Sequence, residues 1–293
     1  MINLRSVYES PILNSMAGQR REKINRLQRL LPEGAVADSR WLEARGYPRT
    51  LRKHYLDAGW LTSPARGLFA RPGSSLHWQN IVFSLQTVMD YDVVVGGRTA
   101  LELEGYAHYL RSEGAGEVHL YVEGKPPGWL AKVELGVLLV THRSSRLFED
   151  GSLRAELARF RRDTDAVASS AGSLMRHVWG SPEQSMLISC PERAVLELLD
   201  ELPERESFHQ ADAIFESLSS LRPARVQALL GACRSVKVKR LFLWFAHRHH
   251  HAWLKRVDEE TIDLGSGKRA LAPGGKLDRR YQITVPEEMN GGL

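Results

Sequence analysis

Between Gln19 and Gly73 the sequence sets three helix signals and one hairpin signal in a row, each with its own stop. That order confines the segment to a winged helix-turn-helix. Ile24, Leu27, Leu30 and Leu31 recur at helical spacing over Gln19–Leu31, and Pro32 and Gly34 end the pattern. Asp38 or Ser39 can cap a second short helix carrying Trp41 and Leu42, with Gly46 supplying the turn after it. Pro48 stands in the first turn of a third helix, where a missing N–H is tolerated, and Gly59 closes that helix as a left-handed cap. Trp60–Thr62, the turn Ser63–Gly67 and Leu68–Arg71 then read as strand, tight turn and return strand.

On a helical wheel of the third helix, Leu51, His54, Tyr55 and Ala58 fall on one side. Arg49, Arg52 and Lys53 fall on the other, with Thr50 and Asp57 at the flank. In a helix-turn-helix the second helix of the motif enters the major groove and its N-terminal residues meet base edges. The expectation is that Arg49 and Arg52 bond guanine O6 and N7 through their forked donors, with Thr50 beside them and Lys53 on a phosphate. Arg66, at the hairpin tip, is placed to reach a neighbouring backbone or minor groove. Arg20, Arg21, Lys23, Arg40 and Arg71 complete the candidate DNA-contacting set.

Charge agrees with this placement. Residues 1–72 carry thirteen Lys/Arg against six Asp/Glu, while the other 221 carry 27 against 29, so the whole excess behind the net +5 sits in the N-terminal quarter. A solvated basic face gives the same count. The rival reading is therefore a winged-helix adaptor that contacts protein and does not bind DNA.

The expected organisation is an N-terminal arm over 1–18, a winged helix-turn-helix over 19–73, and a larger mixed α+β domain over 74–293. An amphipathic linking helix is expected over Leu76–Met89, then a strand at Asp92–Val95, a Gly96-Gly97 turn and a short helix at Thr99–Glu104. Val118, Leu120 and Val122 alternate in a half-buried strand over Glu117–Glu123, and Gly136–Thr141 and Met186–Ser189 read as further strands. From Pro191 the chain turns helical, over about 191–256, with Ala194, Val195, Leu198 and Leu199 facing in on the first of these helices. Strands followed by helices argue for α+β over a doubly wound sheet.

No constellation of catalytic residues stands out, and no enzyme activity, cofactor or metal is expected. Gly96-Gly97-Arg98-Thr99 lacks the spacing of a phosphate-binding loop. His247-Arg248-His249-His250-His251 puts His247 and His251 one turn apart, but no cysteine or HExxH pattern accompanies them, and a polar helix face is the plainer reading. A metal- or nucleotide-dependent enzyme in the C-terminal half ranks third among the functional readings. Cys190 and Cys233 stand alone, and neither a secretory leader pattern nor an apolar run of membrane-spanning length is present, so a cytoplasmic protein is expected. Between Glu216 and Asp258 no acid occurs, and Arg234, Lys237, Lys239, Arg240, Arg248, Lys255 and Arg256 mark a possible second basic patch. Pairing of these cations with the eight acids of residues 192–216 is the equal alternative.

Several blocks carry a resemblance. They are Leu31-Pro32-Glu33-Gly34, Trp60-Leu61, Gly67-Leu68-Phe69, the stretch Gly96–Tyr106, Lys239–Ala246, Gly274–Asp278 and Tyr281–Pro286. In this order, over about 19–286, they resemble the AbiEi antitoxins of AbiE abortive-infection systems. The resemblance implies a bacterial autorepressor with an N-terminal winged helix-turn-helix and a larger C-terminal antitoxin domain. It implies binding to inverted-repeat operator DNA and antagonism of a nucleotidyltransferase-like toxin without a stable complex, in a type IV arrangement serving phage defence. By the same analogy Arg49, Thr50, Arg52 and Lys53 hold or read the operator. The His-rich run at 247–251 departs from the family pattern.

Overall fold

The computed structural model describes residues 22–74, 76–106, 116–163, 172–180 and 184–289; the expected arm and the start of the first helix lie outside them. The chain divides into two compact units between Ser84 and Leu85.

In the first unit, α1 covers residues 22–30 and, with Leu31 just after it, buries Leu27 and Leu31. Strand β1 (Val36–Asp38) follows, an element the sequence reading did not anticipate. Its last residue serves two purposes. The backbone of Asp38 pairs opposite Leu68, and its carboxylate accepts from the Trp41 N–H at 2.7 Å, capping α2 (Ser39–Ala44). Helix α3 (Arg49–Asp57) starts from Pro48 and is closed by Gly59 at φ +72°, as expected. Strand β2 (Leu68–Ala70) pairs antiparallel with β1 on one side and bridges Thr62 through Ala70 on the other. The expected strand over Trp60–Thr62 is thus reduced to a single bridge at Thr62, and the sheet of this unit is the two-stranded pair β1–β2. Helix α4 (Trp78–Phe83) runs into a π-helical turn, Ser84–Val88. It fastens β1 by side chains: Asn80 donates to the Gly34 carbonyl at 2.7 Å, and Ser84 Oγ accepts from the Val36 N–H at 2.8 Å.

The second unit is built on strands β3 (Val93–Val95), β4 (Glu117–Val122), β5 (Leu138–Arg143), β6 (Leu174–Val178) and β7 (Ser185–Ser189), in the order β5-β4-β3-β7-β6. Pairs β3–β4 and β6–β7 are antiparallel, and β3–β7 and β4–β5 are parallel. This mixed sheet is the expected α+β arrangement. Strand β4 is buried on both faces from Val118 to Val122, where its alternation suggested a half-buried strand. Helix α6 (Ser152–Arg162) lays Leu153, Leu157 and Phe160 against Val94, Tyr121, Leu174 and Leu187. The buried Gln86 amide staples two strands. It donates to the Val93 and Leu187 carbonyls and accepts from the Leu187 N–H, each at 2.8 Å.

Helices α5 (Gly97–Leu103), α7 (Pro191–Asp200), α8 (Phe208–Ser217), α9 (Pro223–Ala232) and α10 (Val236–Arg248) complete the packing, and prolines open α7 and α9 at the positions where a helix tolerates them. A small hairpin of β8 (Lys276–Asp278) and β9 (Ile283–Val285), also unanticipated, follows. Helix α7 packs on α5, α9 and α10 and is buried from Glu192 to Leu199. A helix buried all round must neutralise any charge it carries. Arg193 Nε donates to Glu197 Oε1 at 2.7 Å, one turn away, and both side chains have almost no exposure. The remaining donors of Arg193 reach Ser173 Oγ and Ser144 Oγ, each at 2.9 Å, while Glu197 Oε2 accepts from the Gly97 N–H at 3.0 Å. A Cβ on Gly96 would collide with the Glu197 carboxylate and the Tyr121 ring, which is why this strand-to-helix junction is glycine.

Removing one member of a buried ion pair strands the other. Arg193→Met should destabilise the chain by about 3–5 kcal/mol. The double variant Arg193→Met with Glu197→Leu should recover only part of this, because the Gly97 N–H then loses its acceptor. Urea unfolding followed by circular dichroism measures both; equal stability of Arg193→Met and wild type is the contrary result.

Candidate nucleic-acid interface

Exposure sorts α3 into two stripes. Arg49, Thr50, Lys53, His54 and Asp57 are exposed, at the one-and-four spacing of a single outer face, while Leu51, Arg52, Tyr55 and Leu56 turn inward. Arg52 is 6% exposed and thus does not share the outer face with Arg49 and Lys53, which corrects the expected wheel. Its guanidinium donates to the Tyr47 carbonyl at 2.7 Å and the Ser39 carbonyl at 3.3 Å, and lies 5.6 Å from the centre of the Phe69 ring. His54, assigned inward from the wheel, is on the outer face. Leu56 was the missed signal: with Leu51 and Tyr55 it centres the apolar arc near position 52.

Of the other candidates, Arg66 on the wing turn, Arg40 on α2 and Lys23 on α1 are exposed, and Arg71 is half-buried. Arg20 and Arg21 lie outside the described residues. The Tyr47 hydroxyl donates to the Lys23 carbonyl at 2.9 Å, which anchors α1 beside the start of α3. The indole of Trp60, directly after α3, is 47% exposed and was read from sequence only as a strand residue.

The seven cations between 234 and 256 do not form one patch. Arg234, Lys255 and Arg256 are exposed, but Lys239 and Arg240 are buried, at 6% and 3% exposure. Arg240 donates to the carbonyls of Leu264, Gly267 and Gln282. Lys237 holds the carbonyls of Asp200 and Leu202, at 2.6 and 2.9 Å. Arg248 pairs with Asp212 at 2.9 Å and donates to the Met289 carbonyl. Much of the acid-free stretch is spent on internal carbonyls and on acids of the preceding segment. The histidines are occupied likewise: His247 meets Glu259 at 2.6 Å, His249 meets Asp212 at 2.7 Å, and His251 donates to the Phe215 carbonyl at 2.6 Å. Among the described residues no group of three or more His, Cys, Asp or Glu is placed to hold a metal ion.

Comparison with protein families decides the assignment. A family described as "Transcriptional regulator, AbiEi antitoxin, Type IV TA system" matches residues 115–286, and its companion, "Transcriptional regulator, AbiEi antitoxin N-terminal domain", matches residues 20–112. The chain belongs to the AbiEi antitoxin family. Its family role is transcriptional regulation within a toxin–antitoxin system, and the family is not an enzyme family. A comparison with curated proteins found no match. Among solved structures, the RV2827C protein from Mycobacterium tuberculosis is similar, at 16% identity and a TM-score of 0.49, over 89% of this chain and 88% of that one. No helix of the described residues in this AbiEi protein is long and apolar enough to cross a membrane.

The second unit of this AbiEi protein also holds a buried titratable cluster that the sequence did not announce. The Glu201 carboxylate meets His142 Nδ1 at 3.0 Å, and His142 Nε2 meets His119 Nδ1 at 3.0 Å in nearly coplanar rings. His119 Nε2 has no hydrogen-bond partner and faces Glu117 at 3.6 Å. Arg98 lies 3.3 Å from Glu206, 3.6 Å from Glu117 and 3.8 Å from Glu102. Burial pushes His119 down to about 4, helped by the neighbouring His142 and Arg98. Burial pushes Glu206 up to about 7, against the pull of Arg98 and with the help of Glu102, Glu117 and Glu201. Burial also raises Glu201, but the hydrogen bond and charge of His142 outweigh it and leave that carboxylate below its ordinary value.

The two large shifts act on stability in opposite directions. Raised Glu206 holds its proton in the fold, so its contribution is present below the ordinary carboxylate range and is lost as pH rises through about 7. Lowered His119 resists protonation, so its contribution is present above the ordinary histidine range and is lost as pH falls from there towards 4. Glu206→Gln should remove the first dependence alone. Its stability relative to wild type should rise between pH 5 and pH 8 by up to about 3 kcal/mol. Urea midpoints at the two pH values test this, and an offset that does not change with pH is the contrary result.

Proposed function

We propose that this AbiEi protein represses its own operon by binding inverted-repeat operator DNA through the first unit, and that the rest of the chain opposes a nucleotidyltransferase-like toxin without forming a stable complex with it. The single observation behind the DNA reading is the outer stripe of α3: Arg49, Thr50, Lys53 and His54 share one solvent-facing surface. It begins at the helix N-terminus, the part of a recognition helix that meets base edges. Arg66 on the wing adds a cation that can reach an adjacent phosphate or the minor groove. The family's role as a transcriptional regulator supports the same reading.

Within that surface the roles differ by chemistry. Arg49 has a planar fork that matches guanine O6 and N7 together, whereas Lys53 is a point charge suited to phosphate. Thr50 and His54 can hydrogen-bond a base edge or a backbone oxygen. One observation favours the rival adaptor reading: the exposed Trp60 belongs to a residue type enriched at protein interfaces.

Binding of the purified chain to its own upstream DNA separates the two. Arg49→Ala should lower affinity for the operator by about 1–3 kcal/mol and leave binding to unrelated DNA little changed. Lys53→Ala should weaken binding about equally on all sequences and flatten its salt dependence by about one unit of slope. Wild-type affinity in both variants removes α3 as the reading element, and no salt-dependent binding by the wild type favours the adaptor.

A further inference from the structure

We propose that Arg52 is a positioning residue for DNA binding: it fixes the recognition face of α3 relative to the wing and makes no contact with DNA itself. The proposal rests on the DNA-binding reading above.

Several contacts carry it. The Arg52 side chain leaves α3 on its inner side and donates through Nη1 to the Tyr47 carbonyl, in the turn between α2 and α3. The same nitrogen donates to the carbonyl of Ser39, the first residue of α2. Ser39 continues the path: its N–H donates to the Gly67 carbonyl at 3.0 Å and its hydroxyl to the same oxygen at 3.4 Å. Gly67 sits at φ +80° in the wing turn, next to Arg66. A hydrogen-bonded path therefore runs from α3 through α2 to the residue beside the wing cation. The Arg52 guanidinium also lies over Phe69 of β2, the strand that leaves that turn. Glu43, 3.9 Å away and mostly exposed, adds little.

A buried guanidinium is a costly way to fill space. An apolar side chain of similar length would fill the same volume without desolvating a charge. What the guanidinium adds is direction, since its Nη1 group bonds one carbonyl at the start of α2 and one in the turn after that helix, and so fixes their placement against α3 as an apolar chain cannot. The inward turn of Arg52 also withdraws its fork from the groove, leaving Arg49 as the forked donor on the outer stripe.

A double-mutant cycle on the full chain tests this, using Arg52→Met, Arg66→Ala and the pair, with operator affinity measured per folded molecule at a temperature where each variant is folded by circular dichroism. In wild type, Arg66→Ala should weaken binding several-fold. Arg52→Met should weaken it about tenfold, and in its background Arg66→Ala should cost almost nothing, because the wing cation is already misplaced. Additive costs indicate independent contacts and overturn the proposal. Wild-type affinity per folded Arg52→Met molecule assigns Arg52 to stability alone and overturns it too. So does the absence of any cost of Arg66→Ala in wild type, since a wing that touches nothing needs no placing. If Arg52→Met does not fold, Arg52→Lys serves in its place. It keeps the charge but lacks the planar group, and in its background Arg66→Ala should cost less than in wild type, an undiminished cost being the overturning result. A wild type that binds no operator overturns the DNA reading itself, a result distinct from all of these.

Discussion

Arg193 and Glu197 are paired one helical turn apart in the most deeply buried helix of the second unit, and water reaches neither of them. Such a pair does not stabilise a fold merely by existing, because desolvating both ions offsets most of their attraction. Its value lies in what the spare valences do. Glu197 fixes the start of α5 through the Gly97 N–H, and Arg193 binds the Ser144 and Ser173 hydroxyls that flank the sheet strands. The Tyr121 hydroxyl, from strand β4, donates to the Glu197 carbonyl. One pair thus orients α5, α7 and the sheet together. It also explains the Gly-Gly dipeptide, which resembles a phosphate-loop fragment in sequence and is a close-approach site in the fold.

The same economy of charge governs the first unit and the acid-free C-terminal stretch. A net-charge count treats every Lys and Arg as a surface cation. The fold divides them into those left to solvent and those spent on carbonyls: Arg52, Lys237, Arg240 and Arg248 all donate to main-chain oxygens. Long cationic side chains suit this use, because the apolar stem packs while the head satisfies carbonyls that no N–H can reach. An acid-free run is therefore weak ground for a nucleic-acid surface, whereas a stripe of exposed cations on one helix face is better ground.

How much was legible follows from which signals are local. Pro48, Gly59, Pro191 and Pro223 set helix ends by their own backbone chemistry, and Asp38 by its side-chain cap, so α2, α3, α7 and α9 were readable in place and the α+β class with them, whereas α6 (Ser152–Arg162), which has no such signal, was not expected. Strands β1 and β8 were not readable, because Val36–Asp38 and Lys276–Asp278 lack the β-branched run that marked Val93–Val95, and β1 in addition exists only through a partner far along the chain, Leu68–Ala70. The phase of α3 failed for a related reason. A wheel gives relative angles within a helix, but a neighbour decides which arc is inside, and an arginine with two carbonyl acceptors can occupy that arc. The Glu201–His142–His119 chain was invisible because its members come from two adjacent strands and a turn after α7.

The inward turn of Arg52 changes what the charge of the first unit can do. Affinity for a duplex comes largely from counterions released where cations sit on phosphates, and specificity from donors that meet base edges. A guanidinium locked on two carbonyls supplies neither. Its charge still adds to the field of the segment, which attracts a polyanion from a distance of about a Debye length, ~10 Å, and so speeds encounter without adding a contact. On the proposed reading Arg49 would carry the forked base recognition, Lys53 and Arg66 would carry backbone contacts, and Arg52 would set the angle at which the other three arrive together. Specificity on such a surface would depend on that angle, because a forked donor displaced by about an ångström from guanine loses the paired geometry that tells one base from another.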